Sequence, residues 1–103
     1  MKITLLTVGK IKEKYFTMAI DEYKKRLGRY CKLEIIEVAD EKTPDNASEH
    51  EEDIIRAKEG ERLTKYIKDG AYVISLAIQG KQYSSEEFAD KIDKLGINGV
   101  SHI

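Results

Sequence analysis

Three short apolar runs, separated by stretches of helical periodicity, constrain the fold of this chain more than any other feature. The runs cover residues 2–8, 33–38 and 71–78, and the last of them has the strongest strand pattern. Each is short, apolar and rich in β-branched or aromatic residues, which favours buried strands. The resulting order, β-α-β-α-β-α, predicts an α/β fold with a mainly parallel sheet and flanking helices.

Capping residues mark the ends of the three predicted helices. The first helix runs from Glu13 to the glycine at position 28. The second begins at Asn46 or Ser48 and runs to Ile67, and the third opens at Ser84 and stops at Gly96 or Gly99. A fourth strand begins at residues 100–103. Because that strand is cut short, we expect the 103 residues to be a single α/β domain that is incomplete.

Composition excludes several classes of protein. The chain has one cysteine, Cys31, so it forms no intrachain disulfide and no multi-cysteine zinc site. No apolar run approaches the roughly 18–20 residues of a membrane span. His50 lies in an acidic run without the spacing of a metal motif, so we expect no metal. Tyr15 and Tyr23 fall on the apolar stripe of the first helix, which assigns them to the core.

The net charge of −1 conceals two opposed segments. Residues 1–32 hold nine basic and three acidic residues, a net of +6, whereas residues 33–103 carry a net of −7. A segment as basic as residues 1–32 can present a basic face to a polyanion. The candidate contacts are Lys10, Lys12, Arg26 and Arg29. The alternative is an ordinary solvated helix face.

Ligands of open parallel sheets gather at the carboxyl ends of the strands, where three segments qualify. Residues 9–12 lack the further glycines of a dinucleotide loop and the signature of a P-loop, although their lysines suit phosphate. Residues 40–42 could bind a cation or ribose hydroxyls, or form a plain loop. Residues 76–81 could receive a flat aromatic ligand, with Gly80 permitting close approach, or form a simple strand-to-helix turn.

Taken in order, several segments resemble one family. They are residues 1–3, 8–10, 12–15, 22–23, 25–27, 35–38, 40–42, 58–62, 76–81 and 84–86. Together they resemble the RlmH family of the SPOUT superfamily over essentially the whole chain. Members of that family use S-adenosylmethionine to methylate N3 of a pseudouridine in the 23S ribosomal RNA of the ribosome.

The resemblance implies a cytoplasmic homodimer with an α/β fold and a C-terminal knot that holds the cofactor. It implies cofactor contacts at Leu76 and Gly80 and names no catalytic residue in this chain. The chain lacks the family's C-terminal third, which carries the rest of the pocket. We therefore expect the full-length protein to be the methyltransferase and this chain alone to be inactive. The alternative is a non-catalytic module that self-associates through an open sheet edge.

Overall fold

The computed structural model describes all 103 residues and contains two strands and three helices. In chain order these are β1 (Lys2–Val8), α1 (Lys14–Leu27), β2 (Lys32–Val38), α2 (Glu49–Thr64) and α3 (Ser85–Ile97). The strands are parallel and the helices flank them. The predicted fold class, α/β with a parallel sheet, is therefore confirmed.

The sheet is built on an in-register pairing of β1 with β2. The two strands pair along their full lengths, from Lys2 opposite Lys32 to Val8 opposite Val38. Parallel neighbours need a long crossover connection, and α1 supplies it. Val38, at the carboxyl end of β2, is the one buried residue of the chain, with 7% of its surface exposed. The small core thus lies at that end of the sheet.

The predicted start of a fourth strand is confirmed by its hydrogen bonds to the other edge of β1. His102 forms a parallel bridge with Lys2. The N–H groups of Lys2 and Thr4 donate to the carbonyls of Ser101 and Ile103 over 2.9 and 2.8 Å, and the N–H of Ile103 donates to the carbonyl of Lys2 over 3.0 Å. Residues 101–103 therefore lie on the opposite side of β1 from β2.

The predicted third strand is wrong for this structure. Residues 71–77 form no strand, and their link to the sheet is one bond of 2.9 Å from the N–H of Tyr72 to the carbonyl of His102. A strand requires a neighbour that pairs along its length. Residues 101–103 reach only the beginning of this segment, so its strong strand pattern has no partner to pair with.

The helices follow the predictions with shifts at their ends. Ser48 caps α2, its hydroxyl accepting the N–H of Glu51 at 3.2 Å, whereas the helix stops at Thr64 rather than Ile67. Gly96 lies inside α3, and the positive φ of 95° belongs to Gly99 beyond it. The glycine after α1 keeps a right-handed φ of −57°, so it ends the helix without a left-handed turn.

The molecule is open. Its accessible surface is 8771 Å², against about 5,900 Å² for a compact monomer of 11.8 kDa. Its radius of gyration is 15.9 Å, against about 13 Å for a compact chain of this length. The assignment of Tyr15 and Tyr23 to the core is wrong, since their exposures are 66% and 63%. No element packs over the outer side of α1, so its apolar stripe is not buried.

A capping box at the start of α3 predicts a local dependence on pH. The Ser84 N–H donates to the Glu87 carboxylate at 3.0 Å, and the Glu87 N–H donates to the Ser84 hydroxyl at 3.1 Å. These contacts hold the pKa of Glu87 below its ordinary value of 4.5. A lowered carboxyl pKa adds stability above the unfolded pKa, and that stability is lost as pH falls through the folded pKa. We expect Ser84→Ala to raise the pKa of Glu87, measured by NMR titration of its carboxyl carbon.

The same capping box predicts how the helix content of the chain depends on pH. Circular dichroism of the parent chain should lose helicity as Glu87 is protonated. Glu87→Gln should remove that part of the acid transition, and Glu86→Gln, at a neighbouring carboxylate outside the box, should leave it in place. Equal effects of the two substitutions would contradict the assignment.

Candidate functional site

The first two candidate segments meet at the carboxyl edge of the sheet. The N–H of Gly9, directly after β1, donates to the carbonyl of Val38 at 2.8 Å. Gly9 adopts a φ of +81°, and a side-chain Cβ there would lie 3.9 Å from the Cβ of Asp40. The left-handed turn suits glycine. It turns the chain away from β1 beside the loop that follows β2.

Arg62 of α2 fastens that loop. Its Nη1 donates to the carbonyl of Ala39 at 2.9 Å, and its Nη2 forms an ion pair with the carboxylate of Glu41. The side chain of Glu59, one turn earlier, accepts the N–H of Glu41 at 3.1 Å. Because Glu41 is already paired with Arg62, its carboxylate is not free for a cation or ribose. Glu59 and Arg62 lie three residues apart on α2, but the sequence does not show that both side chains reach the loop after β2.

The third segment ends in a tight turn with exposed apolar side chains. The N–H of Gly80 donates to the carbonyl of Ala77 at 2.9 Å, and a Cβ at Gly80 would lie only 3.0 Å from that oxygen. Leu76 is 82% exposed and Ile78 is fully exposed. The turn itself accounts for the glycine, and the exposed apolar side chains beside it offer a surface on which a flat ligand could lie.

A groove of about 490 Å³ separates β1 from residues 71–76. Leu76 lines it and Gly80 does not, so only one of the two predicted cofactor contacts lies in the groove. At the base of the groove the His102 ring Nε2 lies 2.9 Å from the Thr4 hydroxyl. The apolar part of the lining is contributed by Leu5, Leu6, Leu63, Tyr66, Ile67, Ala71, Tyr72, Val73, Ile74, Leu76 and Ile103.

The structure does not bring the four candidate RNA contacts together. Lys10 and Lys12 precede α1, whereas Arg26 lies in its last turn and Arg29 follows it. With a rise of about 1.5 Å per residue, the 14-residue helix separates the two pairs by about 20 Å. Any shared ligand must therefore run along the helix.

Ion pairing distinguishes these cations. Arg26 donates to Glu22 at 3.0 Å and its guanidinium lies 5.9 Å from the centre of the Tyr23 ring. Of the nine basic side chains in residues 1–32, only Arg26 and Lys2 form ion pairs. Lys10, Lys12 and Arg29 are free to meet an anion, whereas Arg26 would have to share its charge with Glu22.

The remaining candidates form no site. His50 lies exposed in the first turn of α2, and no group of three or more His, Cys, Asp or Glu side chains is placed to hold a metal ion. Cys31 is a free, half-buried thiol whose Sγ lies 3.7 Å from the carbonyl of Leu27. No helix combines the length and the apolar character needed to span a membrane.

Comparison with known proteins identifies the family. A family model described as a predicted SPOUT methyltransferase matches residues 1–103. The chain belongs to this family. Relatives named ribosomal RNA large subunit methyltransferase H include those of Bifidobacterium adolescentis, 66% identical, Clostridium beijerinckii, 60%, and Clostridium kluyveri, 56%. Each match covers all of this chain and 65% of the relative, so the chain spans about two thirds of their length. The resemblance seen in the sequence is confirmed.

The Arg62 contacts predict a loop held in place by one side chain. Arg62→Ala should remove both the ion pair with Glu41 and the bond to Ala39, destabilising the loop by about 1–2 kcal/mol. We expect faster proteolytic cleavage between residues 39 and 47. Arg56→Ala is the matched control, because Arg56 pairs only with Glu52 and Asp53 of its own helix. Equal cleavage of the two variants would show that Arg62 does not hold the loop.

Proposed function

We propose that this chain is part of an enzyme that transfers a methyl group from S-adenosylmethionine to N3 of a pseudouridine in 23S ribosomal RNA. The observation that carries the proposal is the family match over all 103 residues, together with relatives named as ribosomal RNA methyltransferases. In this proposal residues 1–103 form one α/β domain of a cytoplasmic homodimer that acts on the ribosome.

The proposed cofactor contacts are Leu76 and Gly80. The exposed Leu76 side chain offers an apolar surface to a flat ring, and Gly80 is an exposed residue of the turn that follows. S-adenosylmethionine, when bound, supplies a methyl group on a positively charged sulfur. The protein must align that group with N3 and provide for loss of the N3 proton.

The same geometry supports the proposal that these 103 residues do not catalyse the reaction alone. Leu76 is 82% exposed, so a ligand in contact with it would stay largely open to solvent on this side. Methyl transfer gains most of its rate from a fixed alignment of donor and acceptor. An open wall binds the donor without fixing its orientation. No side chain near Leu76 is assigned as the base.

The proposed RNA contacts are Lys10, Lys12, Arg26 and Arg29. Three of them lack ion pairs, and they lie in a segment with a net charge of +6. Phosphate contacts dominate the affinity of proteins for nucleic acids, and free cations contribute most readily. We infer that a strand of RNA passes along α1, meeting Lys10 and Lys12 at one end and Arg29 at the other.

The second candidate function is a non-catalytic module that self-associates. The exposed apolar segment 71–78, with Leu76 and Ile78 uncovered, favours it, because unpaired extended segments tend to pair with another copy. A monodisperse monomer by light scattering at high concentration would refute this candidate. It would leave the methyltransferase proposal intact.

The cofactor contacts predict a loss of binding on substitution of Leu76. In a full-length family protein carrying these residues, Leu76→Asp should weaken S-adenosylmethionine binding by roughly tenfold or more, measured by calorimetry, because the apolar contact is replaced by a hydrated charge. Ile97→Asp is the matched control, since Ile97 is 75% exposed on α3. The 103-residue chain alone should show no methyl transfer to ribosomal RNA. Activity in that chain would refute the open-wall argument.

The free cations predict a change in the salt dependence of RNA binding. Lys10→Ala combined with Arg29→Ala should weaken RNA binding and make the slope of log K against log salt shallower by about two units. Lys58→Ala combined with Lys65→Ala, which removes two exposed lysines on and after α2, should leave the slope unchanged. If both double variants kept the parent's slope, residues 1–32 would be a solvated face.

A further inference from the structure

A lysine held against an aromatic ring lies next to the Gly80 turn. Lys81 directly follows Gly80, and its Nζ lies 5.1 Å from the centre of the Tyr83 ring. The Tyr83 ring in turn meets the Phe88 ring of α3 edge-on, with 6.4 Å between the two ring centres. An ammonium group within about 6 Å of an aromatic face is attracted to it. The position of the Lys81 charge is therefore set by a ring that packs on α3.

The charge of Lys81 has no carboxylate partner in the chain. None of the ion pairs includes it. The pKa of Glu87 is lowered mainly by its hydrogen bonds with Ser84, and the nearby charge of Lys81 adds to this effect. The Glu87 carboxylate is nevertheless engaged in the capping box, where it accepts the Ser84 N–H at 3.0 Å. A tyrosine ring attracts a cation without neutralising it, so Lys81 can still bind an anion.

The ring contact distinguishes Lys81 from an ordinary surface lysine. A free lysine side chain has many rotamers, and ordering it on binding costs entropy. Lys10 and Lys12 have neither an ion pair nor a contact with an aromatic ring. Lys81, in contrast, is restrained before a ligand arrives. It therefore offers a positive charge at a defined point of the surface.

The part of the chain around Lys81 is acidic. Residues 33–103 carry a net charge of −7, and Glu86 and Glu87 lie in the first turn of α3. Such a surface repels RNA except where a cation meets a phosphate. A contact at Lys81 therefore fixes where the RNA lies, whereas the basic residues 1–32 attract it over a broad area.

Lys81 also lies beside the reacting groups of the proposed enzyme. The proposed cofactor contacts are Leu76 and Gly80, and Lys81 is the next residue. In a reactive complex the methyl carbon and the acceptor nitrogen lie about 3–3.5 Å apart. The nucleotide that carries N3 must therefore approach the same turn together with its phosphates. Because the donor sulfur is positive and is repelled by an ammonium group, Lys81 suits the acceptor.

We propose that Lys81 binds a phosphate of the RNA next to the nucleotide that is methylated, and that Tyr83 positions the lysine for this contact. The inference rests on the proposed function, which supplies the RNA and the cofactor. It adds one contact at the cofactor site to the contacts along α1. Lys81 thus places the acceptor, whereas residues 1–32 supply general affinity for RNA.

Steady-state methylation by a full-length family protein carrying Lys81 and Tyr83 tests the contact. Lys81→Ala should raise KM for the RNA by about tenfold and leave kcat within about twofold of the parent, because it removes binding energy. Its affinity for S-adenosylmethionine, measured by calorimetry, should not change. Lys81→Arg keeps a cation that binds phosphate and aromatic faces, so its KM should stay within about threefold of the parent. Lys65→Ala, at an exposed lysine after α2, is the matched control and should keep the parent's KM.

A double-mutant cycle tests the part played by Tyr83. Tyr83→Leu removes the ring and keeps the lysine, and it should raise KM for the RNA by about threefold. Tyr83→Phe keeps the aromatic face and should match the parent. In the Lys81→Ala background, Tyr83→Leu should add no further loss, because the ring acts through the lysine.

Three results in an active enzyme would overturn the inference. The first is a KM for the RNA that Lys81→Ala leaves unchanged. The second is weaker binding of S-adenosylmethionine by Lys81→Ala with no change in the KM for the RNA, which would assign the lysine to the carboxylate of the cofactor. The third is an additive loss from Tyr83→Leu in the Lys81→Ala background, which would show that the ring contacts the RNA itself. A parent enzyme that does not methylate ribosomal RNA would instead refute the proposed function, and the inference would fall with it.

Discussion

The parallel, in-register pairing of β1 with β2 is the interaction on which the rest of this structure depends. It brings Gly9 and Asp40 to the same edge of the sheet, and it buries Val38. It also orients the free edge of β1, against which residues 101–103 align. Without this pairing the loop after β2, which Arg62 contacts, would lose its fixed position. The groove would also lose the side that β1 forms. The Arg62 contacts with the loop and the groove beside β1 thus both depend on one two-stranded ladder.

The chain is nevertheless far from closed, and this determines what each surface can do. Its accessible surface exceeds that of a compact monomer of its mass by about half. Exposure of an apolar side chain is therefore weak evidence for a ligand, since Tyr15 and Tyr23 are as bare as Val73. Stronger evidence for a ligand comes from charged or polar groups that have no partner within the chain. The cations of residues 1–32 that form no ion pair are of this kind.

The sequence predicted the helices and strands that local patterns mark, and it failed where a structure depends on residues far apart in the chain. Apolar runs and caps located β1, β2 and the helices, including Ser48 as the start of α2. Residues 71–78 carry equal or stronger strand character, yet a ladder depends on a neighbour that periodicity does not reveal. The exposure of Tyr15 has the same cause. An amphipathic stripe shows that one face of a helix can be buried, but it does not show which element covers that face. The Arg62–Glu41 pair joins residues 21 positions apart and has no short-range signature.

The proposed cofactor contact Leu76 belongs to a segment, residues 71–77, that forms no strand, and this affects the free energy of cofactor binding. Leu76 lines the groove and precedes the Gly80 turn, and one backbone bond, from Tyr72 to His102, links its segment to the sheet. Ordering that segment before the cofactor arrives removes part of the entropy cost of binding. By linkage, a cofactor that binds only the ordered segment would stabilise that ordered form by the same free energy. In the proposed enzyme, cofactor affinity should therefore depend on how firmly residues 71–77 are held, as well as on the side chains that touch the ligand.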